Sequence, residues 1–337
     1  MCPAAGCTSI PAARTSPSSV SQPVVMRAPM VVRLSVGRPV DRSSRYPRGW
    51  RGRTQSRKGS TVSEIPVRRL DDGTRLPALG LGTWPLDDTQ AEEAVAGALG
   101  VGYRLIDTAT NYGNETGVGR GVARSGVPRE EIVITTKLPG RHHGHEETLA
   151  SFEESRRRLG VDHVDLYLIH WPLPRVGKYV DSWRAMIKLR ESGLVHAIGV
   201  SNFTAEHIER LEKETGVLPA VNQIELHPLF PQDELRAFHE EKGIVTESWS
   251  PLGRGAELLE DARIGAVAEE LGVTPAQVVL RWHVQLGAVP IPKSSDPDRQ
   301  RANLDVFGFT LTPDQMAAVT DRAPRRLGGD PETHEEF

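Results

Sequence analysis

The sequence predicts an α/β protein, a single (β/α)8 barrel with a short N-terminal β-hairpin. Short β-rich runs alternate with amphipathic stretches of ten or more residues from Val62 onward, the β-rich runs number eight, and polar residues stand just after successive runs. Alternation of this kind signals parallel strands joined by crossover helices. The loops following the strands are where a barrel keeps its active site.

Residues 1–60 are rich in Ser, Pro and Arg and carry eleven Lys and Arg against one acid, Asp41. With no apolar period they cannot bury enough surface to order themselves, so they read as a disordered basic leader ahead of one domain over residues 61–337. An Arg-rich, acid-poor leader also resembles an organellar transit peptide. An extension or a misassigned start codon accounts for it equally.

Val67–Leu70, the turn Asp71–Gly73 and Thr74–Leu76 are expected to form the hairpin, on its Asp-Gly signal. The eight strands are expected at Ala78–Leu81, Arg104–Asp107, Ile132–Lys137, Val164–His170, Ala197–Ser201, Ala220–Glu225, Val245–Ser250 and Ala288–Ile291. Helices are expected over Thr89–Leu99, Glu146–Leu159, Ser182–Ser192, Ala205–Thr215 and Asp233–Lys242, closed by Gly100, Gly160, Gly193, Gly216 and Gly243. A doubly wound sheet would carry a Gly-rich dinucleotide loop after its first strand. Gly-Leu-Gly-Thr-Trp at 80–84 does not fit that pattern.

Composition narrows the function classes. The net charge is −3, aromatics make up 5%, and the acidic body has no basic stripe, so no nucleic-acid partner is expected. No apolar run approaches the roughly 20 residues of a membrane span. Both cysteines, Cys2 and Cys7, lie in the leader, so the body depends on no disulfide or structural zinc. A reducing compartment suits it, and the cytoplasm is the expected location.

Three successive strands end in chemistry. The first runs through Asp107 into a loop bearing Tyr112, the second closes on Lys137, and the third ends at His170. A carbonyl that accepts hydride also needs a proton, and a phenol of unperturbed pKa about 10 donates poorly at neutral pH unless its anion is stabilised. Lys137 is expected to lower the pKa of Tyr112, Asp107 to hold the ammonium, and His170 to orient the substrate oxygen. Taken singly, each residue is as readily a turn cap, a solvated strand end, a loop aromatic or a satisfied histidine. Their joint placement is the signal. The loop Arg141-His142-His143-Gly144-His145 lacks a carboxylate partner and reads as solvated, with no metal expected.

With Asp-Thr-Ala and Tyr-Gly-Asn-Glu at 107–115, Thr-Lys at 136–137 and His-Trp-Pro at 170–172, the chain resembles the aldo-keto reductase family over residues 62 to 337. Within it the pattern is most similar to bacterial 2,5-diketo-D-gluconate reductases, through Asn-Gln-Ile-Glu-Leu-His-Pro at 222–228 and Glu-Ser-Trp at 247–249. The resemblance implies a (β/α)8 TIM barrel and an NADPH-dependent oxidoreductase that reduces an aldehyde, ketone or keto-sugar acid carbonyl to an alcohol. It implies Asp107, Tyr112, Lys137 and His170 as the catalytic set, with Tyr112 as general acid. It further implies Ser201, Asn202, Gln223, Trp249, Ser250, Leu252, Lys293, Ser294, Arg299 and Asn303 as NADPH/NADP+ contacts. Trp84 and Trp171 become walls of the substrate pocket, and the partner is a small carbonyl molecule met by a monomer. Two departures lie near the cofactor mouth, Arg254 where Gln is common and Ser250 where Gly occurs. Two cations and a hydroxyl opposite a phosphate dianion favour NADPH. Asp296 and Asp298 would oppose it if they faced the phosphate. The rival readings are a nucleotide-sensing barrel without turnover and a phosphate-binding isomerase or lyase.

Overall fold

The structure, a computed structural model, describes residues 65–70, 73–254, 256–320 and 323–336. The expected leader over 1–60, and Asp71 and Asp72 of the expected turn, lie outside those residues. Strands β1 (Val67–Arg69) and β2 (Arg75–Pro77) pair antiparallel, with Val67 opposite Pro77, as the hairpin expectation requires.

The barrel is built from β3 (Leu81–Gly82), β4 (Leu105–Asp107), β5 (Val133–Leu138), β6 (Val164–Ile169), β7 (Val195–Ser201), β8 (Val221–Glu225), β9 (Val245–Trp249) and β10 (Val289–Pro290). Each pairs in parallel with the next in sequence. The ring closes where Gly80 N donates to Pro290 O at 3.0 Å and Gly82 N to Pro292 O at 3.2 Å. A Cβ on Gly82 would lie 2.8 Å from Ile291 O, so only glycine lets these two staves approach. The first and last staves are shorter than the sequence pattern suggests: residues 78–79 form a bend tied to the hairpin through Ala78 N and Pro66 O at 2.8 Å, and Ile291 beyond β10 still donates to Ser248 O at 3.2 Å.

The helices are α1 (Asp88–Val101), α2 (Glu115–Ser125), α3 (His145–Leu159), α4 (Tyr179–Glu191), α5 (Ala205–Thr215), α6 (Asp233–Lys242), α7 (Ala256–Leu259), α8 (Ala262–Leu271), α9 (Pro275–Gln285), α10 (Pro297–Leu304) and α11 (Pro313–Thr320). The boundaries of α5 and α6 match the expectation, as do the closing glycines Gly160, Gly216 and Gly243. Helix α1 differs. It continues through Gly100 and is closed by Gly102, whose N–H reaches the carbonyls of Ala98 and Leu99. None of the helices is long and apolar enough to cross a membrane among the described residues.

The barrel interior is filled by Leu105, Val133, Leu166, Leu168, Ala197, Val221, Val289 and Ile291, with Leu70 and Leu76 of the hairpin packed onto the same cluster. A larger apolar layer, including Tyr103, Phe152, Trp183 and Phe203, fills the space between staves and helices. The hairpin therefore plugs the end where the strands begin and leaves the other end free for polar residues.

Candidate active site

Alternation along each strand aims the polar side chains. Val133 packs in the interior, so two and four residues on Thr135 and Lys137 point the same way, and Leu168 does the same for His170. Lys137 is fully buried. Its Nζ donates to Asp107 Oδ1 at 2.7 Å, to Oδ2 at 2.8 Å and to Thr108 O at 2.9 Å, and stands 3.5 Å from Tyr112 Oη. Burial is the largest single influence and disfavours the ammonium, but Asp107 foremost, with Tyr112 and Glu247, together outweigh it and hold Lys137 above its ordinary value.

Tyr112 lies in a 3-10 turn closed by Gly113, in the left-handed region at φ 68. The turn is tied down by residues that lie in or beside the quoted motifs but were given no role of their own. Thr108 Oγ1 donates to Asn114 Oδ1 at 2.7 Å, Asn114 Nδ2 reaches Leu86 O at 2.9 Å, and Thr110 Oγ1 donates to Lys137 O at 3.0 Å. The His170 ring meets the Tyr112 ring edge to face, with centroids 5.8 Å apart. Lys137 pulls the Tyr112 hydroxyl down, as the sequence suggests, but burial acts more strongly and leaves it above its ordinary value.

Past the tetrad the polar layer continues. Gln223 Nε2 donates to Asp107 Oδ2 at 2.8 Å and to Glu247 Oε2 at 2.9 Å. Burial and the charge of Asp107 push the Glu247 carboxyl up to about 7, and its Oε1 has no hydrogen-bond partner among the described residues. Glu247 was visible in Glu-Ser-Trp but carried no signal of its own, because only the fold brings β9 within one amide of β4.

Ser201 and Asn202 meet Gln223 and Trp249 at one edge of the mouth. Ser201 Oγ donates to Gln223 O at 2.8 Å, Asn202 Nδ2 to His170 O at 2.9 Å, and Trp249 Nε1 to Asn202 Oδ1 at 2.7 Å. Ser250 and Arg254 both adopt positive φ, at 48 and 58, and half-buried Leu252 lies between them. The Arg254 guanidinium lies 5.2 Å from the Trp249 ring centroid and 5.9 Å from that of Trp84. Trp84 is an exposed lip. Trp171 is buried and lies against His334, with ring centroids 4.0 Å apart.

The remaining expected cofactor residues follow β10. Lys293 is exposed and has no ion-pair partner among the described residues, whereas Ser294 is buried and bonded to Asp296. The Asp296 side chain is part-exposed and is engaged at the start of α10. Its carboxylate caps α10, accepting from the N–H groups of Asp298 and Arg299 at 2.9 Å each. Arg299 stays exposed, 4.0 Å from Asp296. Asn303 points inward to the Tyr103 hydroxyl.

The His loop at 141–145 is not uniformly solvated. His143 is buried, with neither ring nitrogen hydrogen-bonded among the described residues, and burial pushes it down to about 4. Helix α3 folds the loop against the barrel, which the local sequence could not reveal. Among the described residues one group, His163, Asp165 and His196, brings metal-binding atom types within 4.8 Å. It lies where β6 and β7 begin, away from the tetrad. Its two rings stack at 4.3 Å and Asp165 is already held by Arg129 at 2.6 Å and by Ile134 N at 2.9 Å, so we assign no ion there.

Comparison with known proteins shows the family of the chain. The profile of the Aldo/keto reductase family matches residues 78–323. The chain is 56% identical over 277 residues to 2,5-diketo-D-gluconic acid reductase B of Corynebacterium sp. (strain SHS752001), covering 82% of this chain and 100% of that protein. It is 53% identical over 269 residues to an aldo-keto reductase of Mycolicibacterium smegmatis (strain ATCC 700084 / mc(2)155), covering 80% and 98%. Among solved structures, an aldo/keto reductase from Brucella melitensis superposes with TM-score 0.73 at 50% identity, over 76% of this chain and 98% of that one. A Gox0644 variant in complex with NADPH gives TM-score 0.77 at 49% identity, over 80% and 99%.

Proposed function

The chain belongs to the aldo/keto reductase family, an oxidoreductase family, and from that premise we propose that it reduces the carbonyl of an aldehyde, ketone or keto-sugar acid to an alcohol, using NADPH and a proton from Tyr112. The observation that carries the reading is Lys137 Nζ, bonded to both oxygens of Asp107 while standing 3.5 Å from Tyr112 Oη. Bound NADPH supplies hydride. The raised value of the Tyr112 hydroxyl keeps it protonated through neutral pH, so it carries a proton whenever substrate arrives. As that proton leaves, the phenolate gains the fixed charge of Lys137, whose position costs nothing to organise because Asp107 and Thr108 already hold it. His170, edge-on to Tyr112, limits where a carbonyl oxygen can sit.

The cofactor fits the residues present. Lys293 and Arg299 are exposed cations suited to a 2′-phosphate, since among the described residues one has no ion-pair partner and the other only a distant one. Ser201, Asn202, Gln223, Trp249, Ser250, Leu252, Ser294 and Asn303 would complete its contacts, with Trp84 and Trp171 walling the substrate. The name of the Corynebacterium relative and the NADPH complex of the Gox0644 variant support a keto-sugar acid and NADPH respectively. The reading extends to a monomer in the cytoplasm, with residues 1–60 as leader and 61–337 as the catalytic body. Loss of NADPH absorbance with a panel of aldehydes, ketones and diketo acids tests it. No oxidation with any carbonyl would sink it.

A further inference from the structure

The C-terminal segment crosses the mouth of the barrel as a strap. Its start is clamped by the buried Glu225, whose Oε1 accepts from Leu327 N at 2.6 Å and whose Oε2 accepts from Gly328 N at 2.8 Å. Midway, Glu332 lies 3.4 Å from His207, and His334 rests on Trp171. At its far end Glu336 Oε1 stands 2.6 Å from His170 Nδ1, a contact somewhat out of line for an ideal hydrogen bond. Gly140 N donates to Glu336 Oε2 at 3.1 Å, and the Asn111 side chain adds a further bond. A Cβ on Gly140 would collide with the Glu336 carbonyl, so the strap lies directly on the loop after β5.

These partners form a cradle for an anion, and the chain's own carboxylate occupies it. Burial would raise the Glu336 carboxyl, but His170, Asn111 and the Gly140 N–H together hold it below the usual range, so it is charged at neutral pH. His143, buried and without a hydrogen bond among the described residues, lies close enough to feel that charge.

We propose that Glu336 is a specificity-determining residue: with the strap seated, its carboxylate fills the anion cradle beside His170, so uncharged carbonyl compounds are favoured and a carboxylate-bearing substrate must displace it. The inference rests on the reductase reading for its biological meaning, but the cradle itself needs no turnover to be tested. Like charges brought together in a poorly hydrated site repel strongly, whereas an ester of the same shape meets no such opposition.

The test uses the full chain and two probes of one skeleton, benzoylformate and its methyl ester. Calorimetric titration, with and without NADP+, compares the native chain with Glu336→Gln. The expected result is that benzoylformate binds the variant at least about tenfold more tightly, with a much smaller change for the ester. Equal shifts for both probes, or none for either, would overturn the proposal. In parallel, the ratio of kcat/KM for acid over ester should rise about tenfold in the variant. An absence of NADPH oxidation alongside an intact calorimetric difference would sink the reductase reading and leave the cradle standing.

Discussion

Gln223 Nε2 stands 2.8 Å from Asp107 Oδ2, so a residue expected to serve the cofactor also braces the acid that holds Lys137. The same nitrogen reaches Glu247, whose carboxyl is pushed from 4.5 up to about 7. Between those values the folded chain binds a proton that the unfolded chain releases. The resulting stabilisation is complete below pH 4.5 and fades as the pH rises through 7, by about 3 kcal/mol at most. Glu247→Gln keeps the shape and removes the titration. Melting temperature measured across that window should fall less steeply in the variant, and an unaltered slope would count against the assignment.

Tyr112→Phe removes the proton donor without disturbing Lys137, whose firmer bonds go to Asp107 and Thr108. Turnover should drop at least about 100-fold while NADPH affinity, followed by fluorescence, stays close to native. Near-normal turnover would mean that the proton comes from elsewhere.

Lys293→Ala and Arg299→Ala each remove a cation expected to face the 2′-phosphate. Bonds to charged groups contribute about 1.5–3 kcal/mol, so KM for NADPH should rise roughly tenfold or more in each variant. KM for NADH should barely move. A parallel rise for both cofactors would show that these residues do not read the phosphate.

Glu225→Gln weakens the clamp on the strap, since the neutral amide can offer only one acceptor oxygen to the Leu327 and Gly328 N–H groups. Faster cleavage within residues 325–336 under limited proteolysis is the expected outcome, with the barrel body resistant. Equal cleavage rates would place the anchor elsewhere.

Gly119→Ala tests the seating of α2. A Cβ there would collide with the Leu159 carbonyl at the end of α3, and overpacking of this kind costs about 1–3 kcal/mol. The measurable result is a lower midpoint in urea unfolding.

The same glycines explain what the sequence concealed. Helix α2 carries Gly117, Gly119 and Gly121, a composition of low helical propensity that periodicity could not offset. Packing demands them, because α1 and α3 approach so closely that a Cβ on Gly117 would strike Asp88 O and one on Gly119 would strike Leu159 O. By contrast α5 and α6 are plain amphipathic stretches ending in glycine, and their boundaries were readable to the residue. The candidate site divides in the same way. Asp107, Lys137 and His170 stand at or within one residue of the ends of successive strands, so their meeting followed from the barrel alone. Glu247 and Glu336 reach the site through register and through a return of the chain, neither of which leaves a local pattern.

The seam between β3 and β10 has a consequence for how the molecule comes into being. A handful of amides from Gly80 and Gly82 join staves that lie at opposite ends of the barrel sequence. Until Val289–Pro290 is synthesised, β9 and β3 both present unsatisfied borders, each a template for pairing with another molecule. Contacts of such long sequence separation form slowly. The chain is therefore most exposed to aggregation while Val289–Pro290 is undocked, and the cylinder has no open border once that last stave is in place.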